Sequence, residues 1–593
     1  MIRKVAGWWL ILIVPVLSFA QTKGNYTWWD PSTNKFPVLD GQAWPGEVES
    51  PYDRFPERAR KVLNPNVWNI SHSSAGLYCK FTTDAGSIIV RYVVTSKGSF
   101  AMSHMPATGV SGVDLYGLDH NGNWLWAPGS FAFGDTIEYR FSGLEADPGF
   151  PGRDREYRLF LPLYNGVSWM QIGVPADRHF EALPLQPERP IVVYGTSIAQ
   201  GACASRPGLA WTAILERKLD RPVINLGFSG SGQLERSVID LMNEIDAKLY
   251  VLDCLPNLTS GAGFSEKEVE DRIRMAVREL QGKHPAVPIL LTEHSGGNDL
   301  RVIDAARSRE FEKVNGILRA VFNRLQSEGV KNIYTITNKE IGLGIHSTVD
   351  GLHPNDIGME EYAAAYERCI RSILHEPVDT GATTYPVTQR RDGYYDWRAR
   401  HAEVLSLNRS EPPVSIILGN SIIHYWGGRP RPPLSRGADS WDGGLEPLGV
   451  RNLGFGWDKI ENVLWRVYHD ELDGYAAKHV VVMIGTNNLG TNTDEEITKG
   501  LKMLVQGIRA RQPQTDLLLS GLLPRRDMEQ RVVVLNRRIA DLAGSLKITY
   551  IEPGRGLLTG KGKIDESLYS DGLHPNAAGY QKIAAVLAPY LKK

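Results

Sequence analysis

The chain has 593 residues, of which 42% are hydrophobic and 22% charged, and its formal net charge at pH 7 is −1. This length accommodates roughly two to four domains, and the composition is that of proteins with ordinary globular cores. A nearly neutral chain without a basic run produces no overall field that would attract nucleic acid or an anionic membrane, which argues against both as partners.

Residues 1–20 have the layout of a secretory signal peptide. Basic residues precede the apolar stretch WWLILIVPVL, and Ser18-Phe19-Ala20 forms a small-x-small cleavage site. The apolar stretch is short for a membrane span, which takes about 20 residues, so a retained anchor is the weaker alternative. We therefore expect cleavage near Ala20, a periplasmic or extracellular protein, and no stable membrane insertion.

Residues 24–187 are predicted to form an all-β sandwich. The stretches GSIIVRYVVT, GVDLYGLD and REYRLFLPLY are rich in β-branched and aromatic residues, and Gly, Asp, Asn and Pro separate them. Long helical periodicity is absent here. The sequence thus predicts a β domain that precedes the rest of the chain.

Residues 188–376 are predicted to form an α/β domain. The buried-type strands IVVYGTSI, PVINLGFSG, KLYVLDC, VPILLTEH and NIYTI alternate with helical stretches such as LAWTAILERKL. After a linker at 377–393, residues 394–593 repeat this alternation through VSIILGNSI, RNLGFGW, HVVVMIGTNN, TDLLLSGLL and ITYIEP. Alternating strands and helices indicate a doubly wound parallel sheet with helices on both faces, here twice in tandem.

Each α/β domain contains the phrase DGLHPN near its end, first from Asp350 and again from Asp571. Asp-Gly and Pro-Asn are common in surface turns, so one copy alone has a simple explanation. Two identical copies, each followed by an apolar-periodic helical stretch, argue for a shared role. In both copies His353 or His574 follows the Asp by three residues, so the carboxylate can hold one ring nitrogen while the other points outward.

Each α/β domain also begins with a hydrophobic strand that leads into a serine, Ser197 in YGTSI and Ser421 in LGNSI. Ligands of open parallel sheets bind beyond the carboxyl ends of the strands, where such a serine can act as a nucleophile. A serine at a helix start can instead be only the N-cap. Together with the Asp-x-x-His pairs, the two serines predict two Ser-His-Asp triads.

These motifs resemble the SGNH (GDSL-type) family of esterases and lipases, whose fold is flavodoxin-like. The resemblance implies that a Gly and an Asn complete an oxyanion hole for the tetrahedral intermediate. It assigns these roles to Gly230 and Asn257 in the first domain and to Trp457 and Asn487 in the second. Trp457 replaces the family's glycine, and a backbone N–H is retained there if Trp can adopt the required backbone angles.

The two halves of the chain resemble different branches of that family. NLGFGWDKIENVLWRV and its surroundings are similar to platelet-activating-factor acetylhydrolases, whereas TGVSGVDLY before the first α/β domain resembles secreted bacterial proteins with a GxDLY β domain. The resemblance implies removal of small acyl groups, above all O-acetyl groups, from extracellular polysaccharide or oligosaccharide. A lipid acyl ester hydrolase is one alternative, and a glycan-binding protein with one active domain is another.

No cofactor and no metal are expected, because neither HExxH nor paired CxxC spacing occurs. Cys203 and Cys254 are both predicted to lie near the catalytic edge of the first α/β domain. They are expected to be either a disulfide or two separate buried thiols.

Overall fold

The computed structural model describes residues 25–145, 154–296, 302–389 and 395–592. The predicted signal peptide lies outside these ranges. Within the described residues no helix combines the length and the apolar character needed to cross a bilayer.

The first domain is a β-sandwich of two antiparallel sheets. One sheet has the strand order β1-β10-β4-β8-β7, and the other has the order β11-β3-β9-β5-β6, with β2 pairing β3 at the side. The strands alternate between the two faces, so that Ile88, Val90 and Tyr92 of β4 point into the core between the sheets. The elements are β1 (Tyr26–Trp29), β2 (Leu39–Asp40), α1 (Pro65–Ser71), β3 (Tyr78–Thr83), β4 (Ser87–Val94), α2 (Ala107–Val110), β5 (Asp114–Leu118), β6 (Trp124–Ala127), β7 (Gly129–Ala132), β8 (Ile137–Ser142), β9 (Arg155–Phe160), β10 (Val167–Pro175) and β11 (Phe180–Ala182).

The middle domain is an α/β domain around a parallel sheet with the strand order β13-β12-β14-β15-β16. Strands β12 to β15 are buried along their whole length, and separate apolar clusters cover the two faces of the sheet. The elements are β12 (Ile191–Gly195), α3 (Ser197–Gln200), α4 (Trp211–Leu219), β13 (Val223–Gly227), α5 (Arg236–Met242), β14 (Leu249–Asp253), α6 (Glu266–Lys283), β15 (Ile289–Thr292), α7 (Ala305–Ser327), β16 (Ile333–Ile336), α8 (Asn338–Ile341) and α9 (Asp356–Ile373).

The C-terminal domain repeats this topology with the strand order β18-β17-β19-β20-β21, again parallel throughout. Its elements are α10 (Trp397–Ser410), β17 (Ser415–Gly419), α11 (Ser421–His424), α12 (Ala438–Gly444), β18 (Val450–Gly454), α13 (Ile460–Tyr468), β19 (His479–Met483), α14 (Asp494–Arg511), β20 (Asp516–Ser520), α15 (Glu529–Leu546), β21 (Thr549–Ile551) and α16 (Ala577–Leu591). The predicted fold class, a β-sandwich followed by two doubly wound α/β domains, is therefore confirmed.

The strand order explains where the sites form. In each sheet the first strand of the domain has the second strand on one side and the third on the other, so the chain reverses its winding direction beside β12 and beside β17. At such a switch point the loops that follow adjacent strands separate and leave a crevice at the carboxyl edge. Both predicted nucleophiles directly follow these strands.

Buried ion pairs join the domains. Asp470 of the C-terminal domain lies 3.0 Å from Arg221 and 2.9 Å from Lys248 of the middle domain, and all three side chains are buried. Arg158 of the sandwich pairs with Glu216 of α4 in the same manner. Because a buried charge is costly when it loses its partner, these contacts hold the domains in a defined arrangement.

Candidate active sites

Each predicted nucleophile, Ser197 or Ser421, begins a short helix after the first strand of its domain. The residue before it caps that helix: Thr196 Oγ1 accepts the N–H of Ile198 at 3.3 Å, and Asn420 Oδ1 accepts the N–H of Ile422 at 2.9 Å. Since these residues provide the caps, the interpretation of Ser197 and Ser421 as N-caps is wrong. Both serine hydroxyls are thereby left for chemistry.

The DGLHPN segments form the same turn in both domains. The N–H groups of Leu352 and His353 donate to Asp350 Oδ1 at 3.0 and 2.8 Å, and the Asp571 turn has the same two distances. The glycine after each Asp has a left-handed φ, +81° and +78°, which glycine adopts without strain. The final Asn caps the following helix, so the phrase specifies a rigid turn joined to a helix start.

The structure brings both predicted triads together. His353 Nε2 lies 2.9 Å from Ser197 Oγ, and its Nδ1 lies 2.7 Å from Asp350 Oδ2. In the C-terminal domain His574 Nε2 lies 2.9 Å from Ser421 Oγ, and its Nδ1 lies 2.8 Å from Asp571 Oδ2. In each site the carboxylate fixes the Nδ1–H tautomer, so Nε2 can accept the proton of the serine hydroxyl.

The electrostatics of the triads follow from these contacts. Partial burial raises the pKa of Asp350 and Asp571, but hydrogen bonds from the histidine side chain and from backbone N–H groups outweigh burial and leave both carboxyl pKa values below normal. Burial lowers the pKa of His574, and the nearby Arg436 and Arg525 lower it further against the opposing effect of Asp571. The charged imidazolium form of His574 is consequently disfavoured.

The predicted oxyanion residues of the middle domain lie next to one another. Gly230 has a φ of +68° in the loop after β13, and Asn257 ends a short helical turn after β14. In the amide orientation that satisfies its neighbours, Asn257 Oδ1 accepts the N–H groups of Ser231 and Gly232, each at 3.1 Å. Its Nδ2 is then a candidate donor to a substrate oxygen.

In the C-terminal domain Trp457 occupies the position of Gly230. Its φ of +66° matches that of the glycine, so the peptide keeps the same direction despite the bulky side chain. The preceding Gly456 is held in place because its carbonyl accepts hydrogen bonds from Gln389 and Tyr395, both at 2.9 Å. Asn487 Nδ2 donates to Asp458 O at 2.9 Å, which ties the two halves of this candidate oxyanion hole together.

The structure also places residues at the sites that sequence reasoning missed. At the middle site, Tyr164 Oη of the sandwich donates to Ser197 O at 3.4 Å, and the His104 ring lies 5.9 Å from the His353 ring. At the C-terminal site, Arg436 donates to Asp571 Oδ2 at 3.2 Å. No local pattern marked them, because they come from loops that only the folded chain brings to the triads.

All four cysteines of the chain are free thiols within the described residues, which excludes the Cys203–Cys254 disulfide. Both thiols are buried, and Cys254 Sγ donates to Tyr194 O at 3.5 Å. They are therefore packing residues beneath the catalytic edge.

Family models match three segments of the chain. Residues 188–371 and 417–582 each match a model of the GDSL-like lipase/acylhydrolase family, and residues 26–180 match the GxDLY model, described as the N-terminus of SGNH-hydrolase-type esterases. These segments correspond to the two α/β domains and the sandwich.

Individual relatives are consistent with these matches. Platelet-activating factor acetylhydrolase IB subunit alpha1 of Bos taurus is 31% identical over 196 residues, which are 32% of this chain and 80% of the relative. Subunit alpha2 of the human enzyme is 31% identical over 197 residues, 32% of this chain and 81% of the relative. A GDSL-like lipase from Bacteroides ovatus, known from a crystal structure, has 30% sequence identity to this chain. The two structures superpose with a TM-score of 0.53 over 59% of this chain and 98% of the lipase.

Proposed function

The chain belongs to the GDSL-like lipase/acylhydrolase family and is an ester hydrolase, and from that premise we propose that it has two independent catalytic sites with Ser197 and Ser421 as nucleophiles. The observation that supports this most strongly is the repeated distance of 2.9 Å between each serine Oγ and its histidine Nε2. A degenerate domain would not need to keep this contact.

The proposed mechanism assigns one role to each group. The serine Oγ attacks the ester carbonyl while the histidine Nε2 takes its proton, and the aspartate stabilises the imidazolium that forms. Backbone N–H groups and an Asn Nδ2 stabilise the oxyanion, through Gly230 and Asn257 in one site and through Trp457 and Asn487 in the other. The histidine then protonates the leaving alcohol, and a water molecule activated by the same histidine releases the acid from the acyl-serine.

We propose small acyl groups, chiefly O-acetyl groups on extracellular carbohydrate, as the substrate. Two observations support a short acyl group: the large Trp457 side chain at the oxyanion turn, and the similarity to proteins named acetylhydrolases. The secretory layout of residues 1–20 supports an extracellular polymer as the ester's carrier.

A lipid acyl ester is the second candidate, favoured by the same acetylhydrolase relatives. The two candidates differ in how the rate depends on acyl length and on the carrier. Hydrolysis of acetylated oligosaccharides that is faster than that of longer-chain glyceride esters supports the carbohydrate substrate, and the reverse order supports the lipid.

Single and double serine variants test the two-site proposal. Ser197→Ala and Ser421→Ala should each remove one part of the hydrolysis of p-nitrophenyl acetate, and the double variant should retain only the small residual rate that binding and the oxyanion hole supply. Hydrolysis by the double variant at the wild-type rate contradicts both assignments. Loss of all activity in one single variant shows instead that only one domain is active.

A further inference from the structure

Arg525 lies between the two catalytic loops of the C-terminal domain, in the segment that follows β20. Its Nη1 donates to the carbonyl of Thr486 at 3.2 Å, directly before Asn487. On the other side, Arg526 N donates to Gly572 O at 2.9 Å, inside the turn that contains Asp571. Arg525 is thus held at the edge of the site, with one catalytic loop on each side.

The residue before Arg525, Pro524, is also held in place. Tyr569 Oη is buried and donates to Pro524 O at 2.7 Å, so the residue before Arg525 is fixed to the segment that leads into the acid–base turn. The backbone is therefore held in place on both sides of Arg525.

The guanidinium of Arg525 has no carboxylate partner among the described residues. The neighbouring Arg526 binds both oxygens of Glu566, at 2.8 and 2.7 Å, and Arg436 binds Asp571 at 3.2 Å. Arg525 is half-buried, and desolvation alone lowers its pKa. A partly buried cation without a counter-ion is unfavourable, and an anionic ligand removes that cost.

The charge of Arg525 also affects the predicted catalytic histidine, His574. Together with Arg436 it lowers the pKa of His574. Arg436 is neutralised by Asp571, whereas the Nε–Nη2 edge of Arg525 has no acceptor in the described part of the chain. That edge has the spacing that binds two oxygens of one carboxylate or phosphate.

We propose that Arg525 binds a carboxylate or phosphate carried by the substrate, so that the C-terminal site acts on acyl esters of anionic molecules. The inference rests on the proposed hydrolysis at Ser421 and adds a charge requirement to it. A carboxylate can belong to an acidic sugar, and a phosphate to a phosphorylated glycerol or lipid headgroup. The chemistry of recognition is shared by these sources.

The test compares esters that differ only in charge, using the full-length Ser197→Ala protein so that only the C-terminal site turns over. One pair is an O-acetylated methyl galacturonoside and the corresponding galactoside, and the other is acetylated glycerol phosphate and acetylated glycerol. The rates are measured at about pH 8, where His574 is neutral with or without the charge of Arg525. We expect kcat/KM for the anionic member of one pair to exceed that of its neutral partner by about 10-fold to 100-fold.

Arg525→Gln should reduce this anionic-to-neutral ratio by about tenfold or more. Arg538→Gln is the matched control, because it removes one positive charge from α15, where Arg538 is exposed and, among the described residues, pairs only with the exposed Glu495. It should leave the ratio unchanged. Since each variant is judged by its own ratio, partial misfolding lowers both rates and does not imitate the expected result.

A preference within the galacturonoside pair identifies an acidic sugar, and one within the glycerol pair identifies a phosphate. A ratio near one for both pairs, or a ratio that Arg525→Gln does not reduce, overturns the proposal. These failures are distinct from failure of the esterase assignment, because Ser421→Ala in the same background abolishes hydrolysis of the neutral esters whenever Ser421 is the nucleophile.

Discussion

Trp457 differs from its counterpart Gly230 in side chain but not in backbone, with φ values of +66° and +68°. A left-handed φ costs a bulky residue of the order of ~1 kcal/mol or more, so the indole persists there against a local penalty. A Cβ at Gly230 would meet open space, whereas the C-terminal site contains a whole indole at this point. We therefore expect the two sites to offer the acyl group different amounts of room.

Exchanging these residues should exchange the acyl-length preference. In the Ser197→Ala background, Trp457→Gly should raise the rate on p-nitrophenyl butyrate relative to acetate by about tenfold, since one or two methylenes are worth that much in a tight pocket. Gly230→Trp in the Ser421→Ala background should lower the same ratio. Steady-state kinetics with both esters measures the butyrate-to-acetate rate ratio. If neither substitution changes this ratio, the Trp457 indole does not limit the size of the acyl group.

The pH dependence of the C-terminal site follows from the lowered pKa of His574. Catalysis needs the neutral imidazole, and burial with Arg436 and Arg525 disfavours the imidazolium, so the folded pKa lies below 6.5. The activity of the Ser197→Ala protein should therefore persist below pH 6.5 and fall only on further acidification. A kcat/KM profile measures the midpoint, which Arg525→Gln should move upward; a midpoint at or above 6.5 is incompatible with this electrostatic environment.

At the scale of elements, the last residue of DGLHPN joins the acid–base turn to a helix. Asn576 Oδ1 accepts the N–H of Gly579 at 3.1 Å, and its Nδ2 donates to Ser567 O at 2.7 Å. Asn355 makes the corresponding contacts at the start of α9. One side chain thus caps the helix and closes the loop in front of the triad.

Asn576→Ala should destabilise the start of α16 by about 1–2 kcal/mol, the usual cost of a lost N-cap. Asn576→Asp keeps the capping oxygen and should lose less. The temperature at which Ser421-dependent activity disappears should fall for the alanine variant and fall less for the aspartate variant. Equal losses in both variants mean that the contact with Ser567, rather than the cap, is the stabilising one.

The alternation of strands and helices and the two triads could be predicted from the sequence, because each rests on a local pattern. Buried strands such as VSIILG have a recognisable composition, and Asp571 and His574 are neighbours in one turn. The left-handed φ of Trp457 could be inferred only as a condition for a working oxyanion turn. Arg436, Tyr164 and His104 could not be predicted, because long-range packing alone brings them to the triads.

At the scale of the whole molecule, the charged contacts between domains also could not be predicted from the sequence. Asp470 occupies a loop position where Asp is normally solvated, yet it is buried and has a φ of +69°. It is paired with Arg221 and Lys248 of another domain, so its role depends on how the domains dock. No local pattern distinguishes it from a surface aspartate.

Asp470→Ala should lower the stability of the docked domains by about 3–5 kcal/mol, because buried Arg221 loses its carboxylate partner and buried Lys248 is left with Asp473 alone. The matched control is Asp271→Ala, which removes an exposed partner of Lys267 on the surface of α6 and should cost less than about 1 kcal/mol. Calorimetric unfolding of the full chain compares the two variants. A similar, small shift for both indicates that the interdomain pairs do not hold the domains together.

The existence of two working Ser-His-Asp sites is tested most directly by labelling the full-length protein with a fluorophosphonate and locating the modified serines by peptide mass spectrometry. We predict labels on Ser197 and on Ser421, each lost when its own histidine, His353 or His574, is replaced by alanine. A label on only one serine, or on neither in a protein that still hydrolyses acetyl esters, would contradict this claim.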